Sequence, residues 1–309
     1  MFRSLLVLLC LCLPAAGHAQ KVAVTMSNGA WTFTASLTGH IEAALAAAGA
    51  ADPVIHDAGG DRQAQLDAVA DFIGRDVDVM IVNLLSTDDG LRVSRLAEKA
   101  RIPIVYVNVE PINSAVLPEG QSYVGSDETE SGTLEFGHVC DRLGGKGTVS
   151  FLIGDLVSSA ARSRTLDYYA LLGTPRCAGI EVLDEGFANW SRDEASARAG
   201  EWIAAGRVPD AFVANNDDMA LGAIDAIGKA GLDKDRIMVT GIDATAVALQ
   251  SMGDGVLDAT VLQNARGQAE SAVATALALA RGDGGTERII YVPFELVTPE
   301  NLGSYLPSN

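Results

Sequence analysis

The chain has 309 residues, 48% of them hydrophobic, with a formal net charge of −18 and four cysteines. That length fills one large or two ordinary domains, and the acidic balance excludes the Lys and Arg clustering that nucleic-acid phosphates demand. No stretch approaches the roughly 20 apolar residues that span a bilayer, and no P-loop, dinucleotide fingerprint or nucleophile elbow is present.

The N-terminus combines Arg3, a short apolar run (LLVLLCLCL, residues 5–13) and a small-residue end at Gly17-His18-Ala19. This pattern predicts a secretory signal peptide over residues 1–19, cut after Ala19, and a mature chain outside the cytoplasm. Cys10 and Cys12 are each followed by Leu, which speaks against a lipoprotein site.

From Lys21 onward, short apolar runs recur between Gly, Pro, Asn and Asp: KVAVTM (21–26), DVDVMIVN (76–83), IPIVYVNV (102–109), GTVSFLIG (147–154), DAFVANN (210–216), RIMVTGID (236–243) and DATVLQ (258–263). Each is too short for a globular helix and too continuously apolar for a half-exposed strand, as strands buried on both faces of a parallel sheet are. Between them, apolar residues spaced by three and four predict helices over 34–48, 63–75, 91–100, 128–143, 164–172, 193–204, 219–230, 245–252 and 268–281. The alternation implies βαβ crossovers and a doubly wound α/β architecture. There are more strands than one such sheet usually holds, with a natural division near Ser126, so two similar lobes are expected. Ligands of open α/β sheets bind beyond the C-terminal strand ends; two facing lobes therefore place two such rims across one cleft.

The mature part keeps Cys140 and Cys177, near the end of a predicted helix and just before a run, IEVLD (180–184), that reads as a neighbouring strand. A disulfide and two free buried thiols both fit. Neither cysteine has zinc or redox spacing, and His40, His56 and His138 show no metal spacing. No cofactor or metal is expected, and no catalytic group stands out.

Five segments carry a resemblance to a known family: VNVEP (107–111), YVGSDETESG (123–132), VANNDDMALGAIDAI (213–227), TGID (240–243) and VPFELVTPENL (292–302). In this order and spacing the chain resembles the type I periplasmic sugar-binding proteins of ABC transporters, in particular the galactose/glucose- and ribose-binding groups. The resemblance implies three interlobe crossings, near Ser126, Gln263 and Val292. One lobe would then hold residues 20–125 with 264–291, and the other 126–263 with 292–309. It implies a monomeric periplasmic solute-binding component that closes on a small sugar or polyol, delivers it to a membrane permease and catalyses nothing. A sensor subunit that presents its solute to a chemoreceptor or histidine kinase is the alternative. A transcription regulator of the same fold would need a basic helix-turn-helix segment ahead of the first strand, where the leader stands instead.

Sugar rings pack C–H faces on aromatic planes, and their hydroxyls need partners that donate and accept. At family positions Phe33 and Trp190 match the aromatics, and Asn83, Asn108, Arg164, Asn216, Asp243 and Gln263 the polar partners. Core packing competes as a reading for the aromatics. A helix N-cap competes for each Asp or Asn, and is the preferred reading of Asp217 and Asp218. Arg164 and Asp243 could also pair with each other. Several positions depart from the galactose/glucose pattern. Trp31 replaces an acidic residue, and Ser158 and Ala160 replace a His and an Asp. Gln263 and Ser27 follow the ribose-binding pattern. The short GGKGT stretch lacks the carboxylates of a calcium loop. Fewer hydroxyl partners and an added aromatic predict a pentose, deoxysugar or polyol rather than glucose, with a bulkier derivative beside Ser158 and Ala160 as the other option.

Overall fold

A computed structural model describes residues 20–283 and 287–306; the leader expected over residues 1–19 lies outside them. The backbone forms two six-stranded sheets. The first contains β1 (Lys21–Met26), β2 (Ala51–Asp57), β3 (Val79–Val82), β4 (Ile104–Val107), β5 (Gln121–Gly125) and β11 (Ile289–Tyr291). The second contains β6 (Lys146–Ile153), β7 (Gly179–Phe187), β8 (Ala211–Ala214), β9 (Met238–Asp243), β10 (Ala259–Gln263) and β12 (Phe294–Val297). Their orders are β11-β5-β4-β3-β1-β2 and β12-β10-β9-β8-β6-β7. All pairings are parallel except that of β12 with β10. Central strands such as β3, β4 and β8 are buried along their whole length, which is why they read as unbroken apolar runs.

Helices cover both faces of each sheet. On the first, α1 (Thr32–Ala47) and α9 (Ala265–Ala280) share one apolar cluster with β1, β3 and β4, while α2 (Arg62–Gly74) and α3 (Gly90–Ala100) pack on the opposite face. On the second, α4 (Glu128–Arg142) and α5 (Ser159–Leu172) cover one face, and α6 (Arg192–Ala204), α7 (Asp217–Lys229) and α8 (Ala246–Gly253) the other. The chain passes between lobes after β5, after β10 and between β11 and β12. These crossings are tied together: Gln268 Nε2 donates to Ser126 Oγ at 3.1 Å, and the Val292 N–H to the Gly125 carbonyl at 2.7 Å.

Two sequence expectations need correction. The helix expected from Arg164 starts at Ser159, with Ser158 as its N-cap accepting from the Ala160 N–H at 3.3 Å. Arg164 therefore lies in the second turn of α5 rather than at the end of a loop. Strand β2 was not foreseen, because ADPVIHD contains Pro53 and is half-exposed. Proline lacks the N–H that a central ladder needs, and β2 is an edge strand. The open alternatives at the two cysteines resolve to a disulfide between Cys140 in α4 and Cys177 just before β7, Cα–Cα 5.3 Å.

Candidate functional site

The ends of β1, β3 and β4 face those of β6, β8, β9 and β10 across the gap between the lobes. At this junction lies a partly open cleft with about 600 Å³ of empty volume, open solvent included. Its lining includes Ser27, Trp31, Phe33 and Asn108 from the first lobe, and Arg164, Trp190, Asn216, Asp243 and Gln263 from the second. Asn83 does not line it. Its Oδ1 accepts from the Ser27 N–H at 3.2 Å and the Ser27 hydroxyl at 2.6 Å, and its Nδ2 donates to the Val107 carbonyl at 3.1 Å. Asn83 thus stands behind the wall and sets the positions of the residues in front.

Arg164 is 2% exposed and anchors the second-lobe side. Its Nε and Nη2 donate to the two carboxylate oxygens of Glu128 at 3.1 and 3.2 Å, and Nη1 donates to the Asn215 carbonyl at 2.6 Å. Burial works against the guanidinium charge, but Glu128 and Asp243 outweigh it and hold the group above its ordinary value. The Asp243 carboxylate sits 4.0 Å from Arg164 Nη1 and makes no hydrogen bond among the described residues. Burial pushes this carboxyl well above the usual range; Arg164 opposes the shift, while Asp217, Asp218 and Glu128 reinforce it. The arginine is already neutralised by Glu128, so Asp243 keeps its polar atoms free for something in the cavity.

The aromatic side is built by backbone geometry. Trp190 follows β7 with φ +67°, and its indole lies against Gly154, where an added Cβ would come within 2.4 Å of the ring. Arg164 stacks over the same indole, 5.8 Å from the ring centroid. Trp190 packs into the second-lobe core as well as lining the cavity, and Phe33 packs against the first-lobe core, so the competing readings hold together. Trp31 belongs to the first lobe by sequence, yet packs against the core of the second. Asn108 and Asp243 also have positive φ, +67° and +131°. Such strain at non-glycine residues gathers at functional sites.

The lobes meet across the mouth of the cleft. The Thr32 hydroxyl donates to Asp218 Oδ1 at 3.0 Å, the Ser159 N–H to Thr87 Oγ1 at 2.9 Å, and the Thr87 N–H to the Val157 carbonyl at 3.1 Å. Asp218 is therefore an interlobe latch and not a cap. Nor is Asp217 a cap: it accepts from the Thr245 N–H at 2.7 Å and the Thr260 hydroxyl at 2.6 Å. Asn216 caps α7 instead, its Oδ1 accepting from the Met219 N–H at 3.0 Å, and its Nδ2 has no partner among the described residues. Sequence reasoning missed Glu128, which reads as an ordinary acid in a first helical turn, and the cavity residues Leu84, Leu85, Val109 and Val157, which carry no polar group to mark them.

A family profile described as a periplasmic binding protein domain matches residues 22–284. A putative rhizopine-binding protein from Rhizobium meliloti is 41% identical over 294 residues, covering 95% of each chain. A xylitol-binding protein from Mycolicibacterium smegmatis is 32% identical over 251 residues, 81% of this chain and 69% of that one. A solute-binding protein of a Bacillus halodurans ABC transporter, solved with bound myo-inositol, superposes with a TM-score of 0.86 at 34% identity, covering 94% of this chain and 98% of the other. The chain belongs to the periplasmic binding protein family.

Proposed function

We propose that this chain is the exported solute-binding component of an ABC-type importer, and that its cleft captures a small sugar or polyol. The carrying observation is the meeting of uncommitted polar groups on Asp243, Asn216 and Gln263 with aromatic planes from both lobes around one cleft. Hydroxylated rings need both kinds of surface. In this reading Asp243, Arg164, Asn216, Gln263 and Asn108 hold hydroxyls, Ser27 accepts with its remaining lone pairs, and Trp31, Phe33 and Trp190 enclose the ring. Asn83 keeps Ser27 and Asn108 in place. The relatives support the solute class, since their names record rhizopine, xylitol and myo-inositol. The same reading makes residues 1–19 a cleaved leader, places the mature monomer in the periplasm and gives it a membrane permease as partner. Its chemistry is capture and release, with no bond made or broken. A thermal-shift screen of pentoses, hexoses, cyclitols and linear polyols tests it. A ligand that raises the melting temperature and is recovered unchanged supports the proposal; turnover of that ligand, or no shift with any of them, overturns it.

A further inference from the structure

Behind the charged side of the cleft lies a carboxylate that does not line it, yet is bonded to the elements that carry most of its polar residues. Glu135 of α4 is fully buried. It accepts from two hydroxyls, that of Tyr168 on α5 and that of Thr240 on β9, the latter at 2.7 Å. The Tyr168 oxygen in turn accepts from Asn215 Nδ2 at 3.3 Å. Asn215 follows β8, and its other groups reach the cleft wall. Its Oδ1 accepts from the N–H of Gly154, against which the Trp190 indole lies, at 3.0 Å, and its carbonyl from Arg164 Nη1 at 2.6 Å. Arg164 lies one turn before Tyr168, Asn216 follows Asn215 directly, and Asp243 ends the strand that holds Thr240. One carboxylate thus fixes α5, β8 and β9 against each other where each presents a cleft residue.

We propose that Glu135 is a positioning residue for solute capture, and that its ionised form holds Arg164, Asn216 and Asp243 in binding geometry. The inference rests on reading the cleft as a solute site. An ionised carboxylate only accepts, so both hydroxyls must point at Glu135, and the bonds run one way from Asn215 through Tyr168. A proton on Glu135 turns one of its oxygens into a donor, and one of the two bonds must reverse. Reversed at Tyr168, the phenol hydrogen faces the Asn215 amide, itself a donor. Reversed at Thr240, the hydroxyl has no other partner among the described residues. One misdirected buried hydrogen bond is worth roughly fivefold in affinity. Burial pushes the Glu135 carboxyl up to about 7, opposed by Tyr168, Thr240 and Arg164 and reinforced by Asp217. The groups facing it are Tyr168 and Arg164 of α5, Asp217 of α7 and the neutral Thr240, while Asp243 at the end of β9 faces the cleft. Strands β8 and β10 carry no titratable side chain, and Glu295 of β12 and Arg176 before β7 are engaged by Tyr305 and Asp141.

Calorimetry on the mature chain with myo-inositol, xylitol and D-ribose, at steps from about pH 8 to about pH 6, tests this. Affinity for whichever binds is expected to fall about fivefold across that range. Stability should move the other way, because a carboxyl with a raised folded-state value stabilises the fold as pH falls. A carboxylate that only supported the fold would shift stability and leave affinity level. Glu135→Gln should bind at pH 8 about as weakly as the parent protein does at pH 6, with a level profile. Asp217 and Asp243 still titrate in that variant, so a slope due to either would persist. Tyr168→Phe breaks the same run of bonds, should also weaken binding at pH 8, and carries the test alone if melting transitions show that Glu135→Gln does not fold. A level profile in the parent, a slope unchanged in Glu135→Gln, or full affinity in Tyr168→Phe overturns the positioning role while leaving the cleft a solute site. If none of the three compounds binds at any pH, the reading of the cleft falls and this inference with it.

Discussion

Set side by side, the lobes have the same strand order position for position, yet they bring opposite chemistry to the cleft. The second lobe holds the buried charges: Arg164 with Glu128 and Asp243, and behind them Glu135 and Asp217. The first lobe contributes aromatic and aliphatic surface with a few neutral amides and hydroxyls. Among its described residues it has no carboxylate as deeply buried as Glu135 or Asp217, and its Asp89 pairs with a largely exposed Arg62. Charges are costly to bury and must be held by fixed partners, whereas apolar surface needs only shape. One lobe is thus a prearranged charged floor, and the other a mostly neutral cover. The second lobe also carries the disulfide, which ties α4 to the segment before β7.

The sharpest way to break this contrast is to remove the charge at its centre. Arg164→Met leaves Glu128 buried without its counter-charge and should lower stability by about 3–5 kcal/mol, besides abolishing ligand binding. In the first lobe, Ser27→Ala removes a buried hydroxyl that donates to Asn83 and should cost about 1 kcal/mol. Urea unfolding of both variants measures the difference; equal losses would mean the lobes do not divide the work this way.

A smaller effect follows from Cys140–Cys177, which closes a loop with a sequence separation of 37. Changing both to Ser should cost about 2–4 kcal/mol and lower the unfolding transition of the second lobe alone. Protease protection followed along the chain locates the loss, and a loss in residues 21–125 would contradict a lobe-confined staple.

The smallest expected effect is in pH dependence. Burial pushes Glu135 up to about 7 from 4.5, against hydrogen bonds from Tyr168 and Thr240, and pushes Asp217 up to about 6 from 3.8, against bonds from Thr260 and Thr245. Both carboxyls hold a proton more tightly folded than unfolded, so the folded state binds more protons between those values. Stability should therefore rise as pH falls from about 7 towards 5. Glu135→Gln should reduce that slope, chiefly between pH 6 and 7; a slope of the opposite sign, or one unchanged in the variant, would place the pH response elsewhere.

Much of this was legible in the sequence where burial is two-sided and local. Unbroken apolar runs marked β1, β3, β4, β8 and β9, and the polar residues closing those runs marked the rim. What escaped depends on partners far along the chain. Glu128 and Arg164 are 36 residues apart, and nothing local to either announces the pair. The cap position of α7 was misread because Asn216, Asp217 and Asp218 are all good caps, and only the tertiary fold gives the two aspartates other partners. Half-exposed β2, an edge strand interrupted by Pro53, gives no continuous run. The aliphatic part of the cleft lining escaped because Leu84, Leu85 and Val109 look alike whether they face a core, solvent or a ligand.

The three crossings have a consequence for how the chain becomes a protein. The first lobe cannot complete its core until α9 and β11, about 240 residues or more after β1, have been added. The second lacks an edge strand until β12 arrives. A chain that ends before α9 holds neither lobe complete, so the last elements of the sequence finish both cores together.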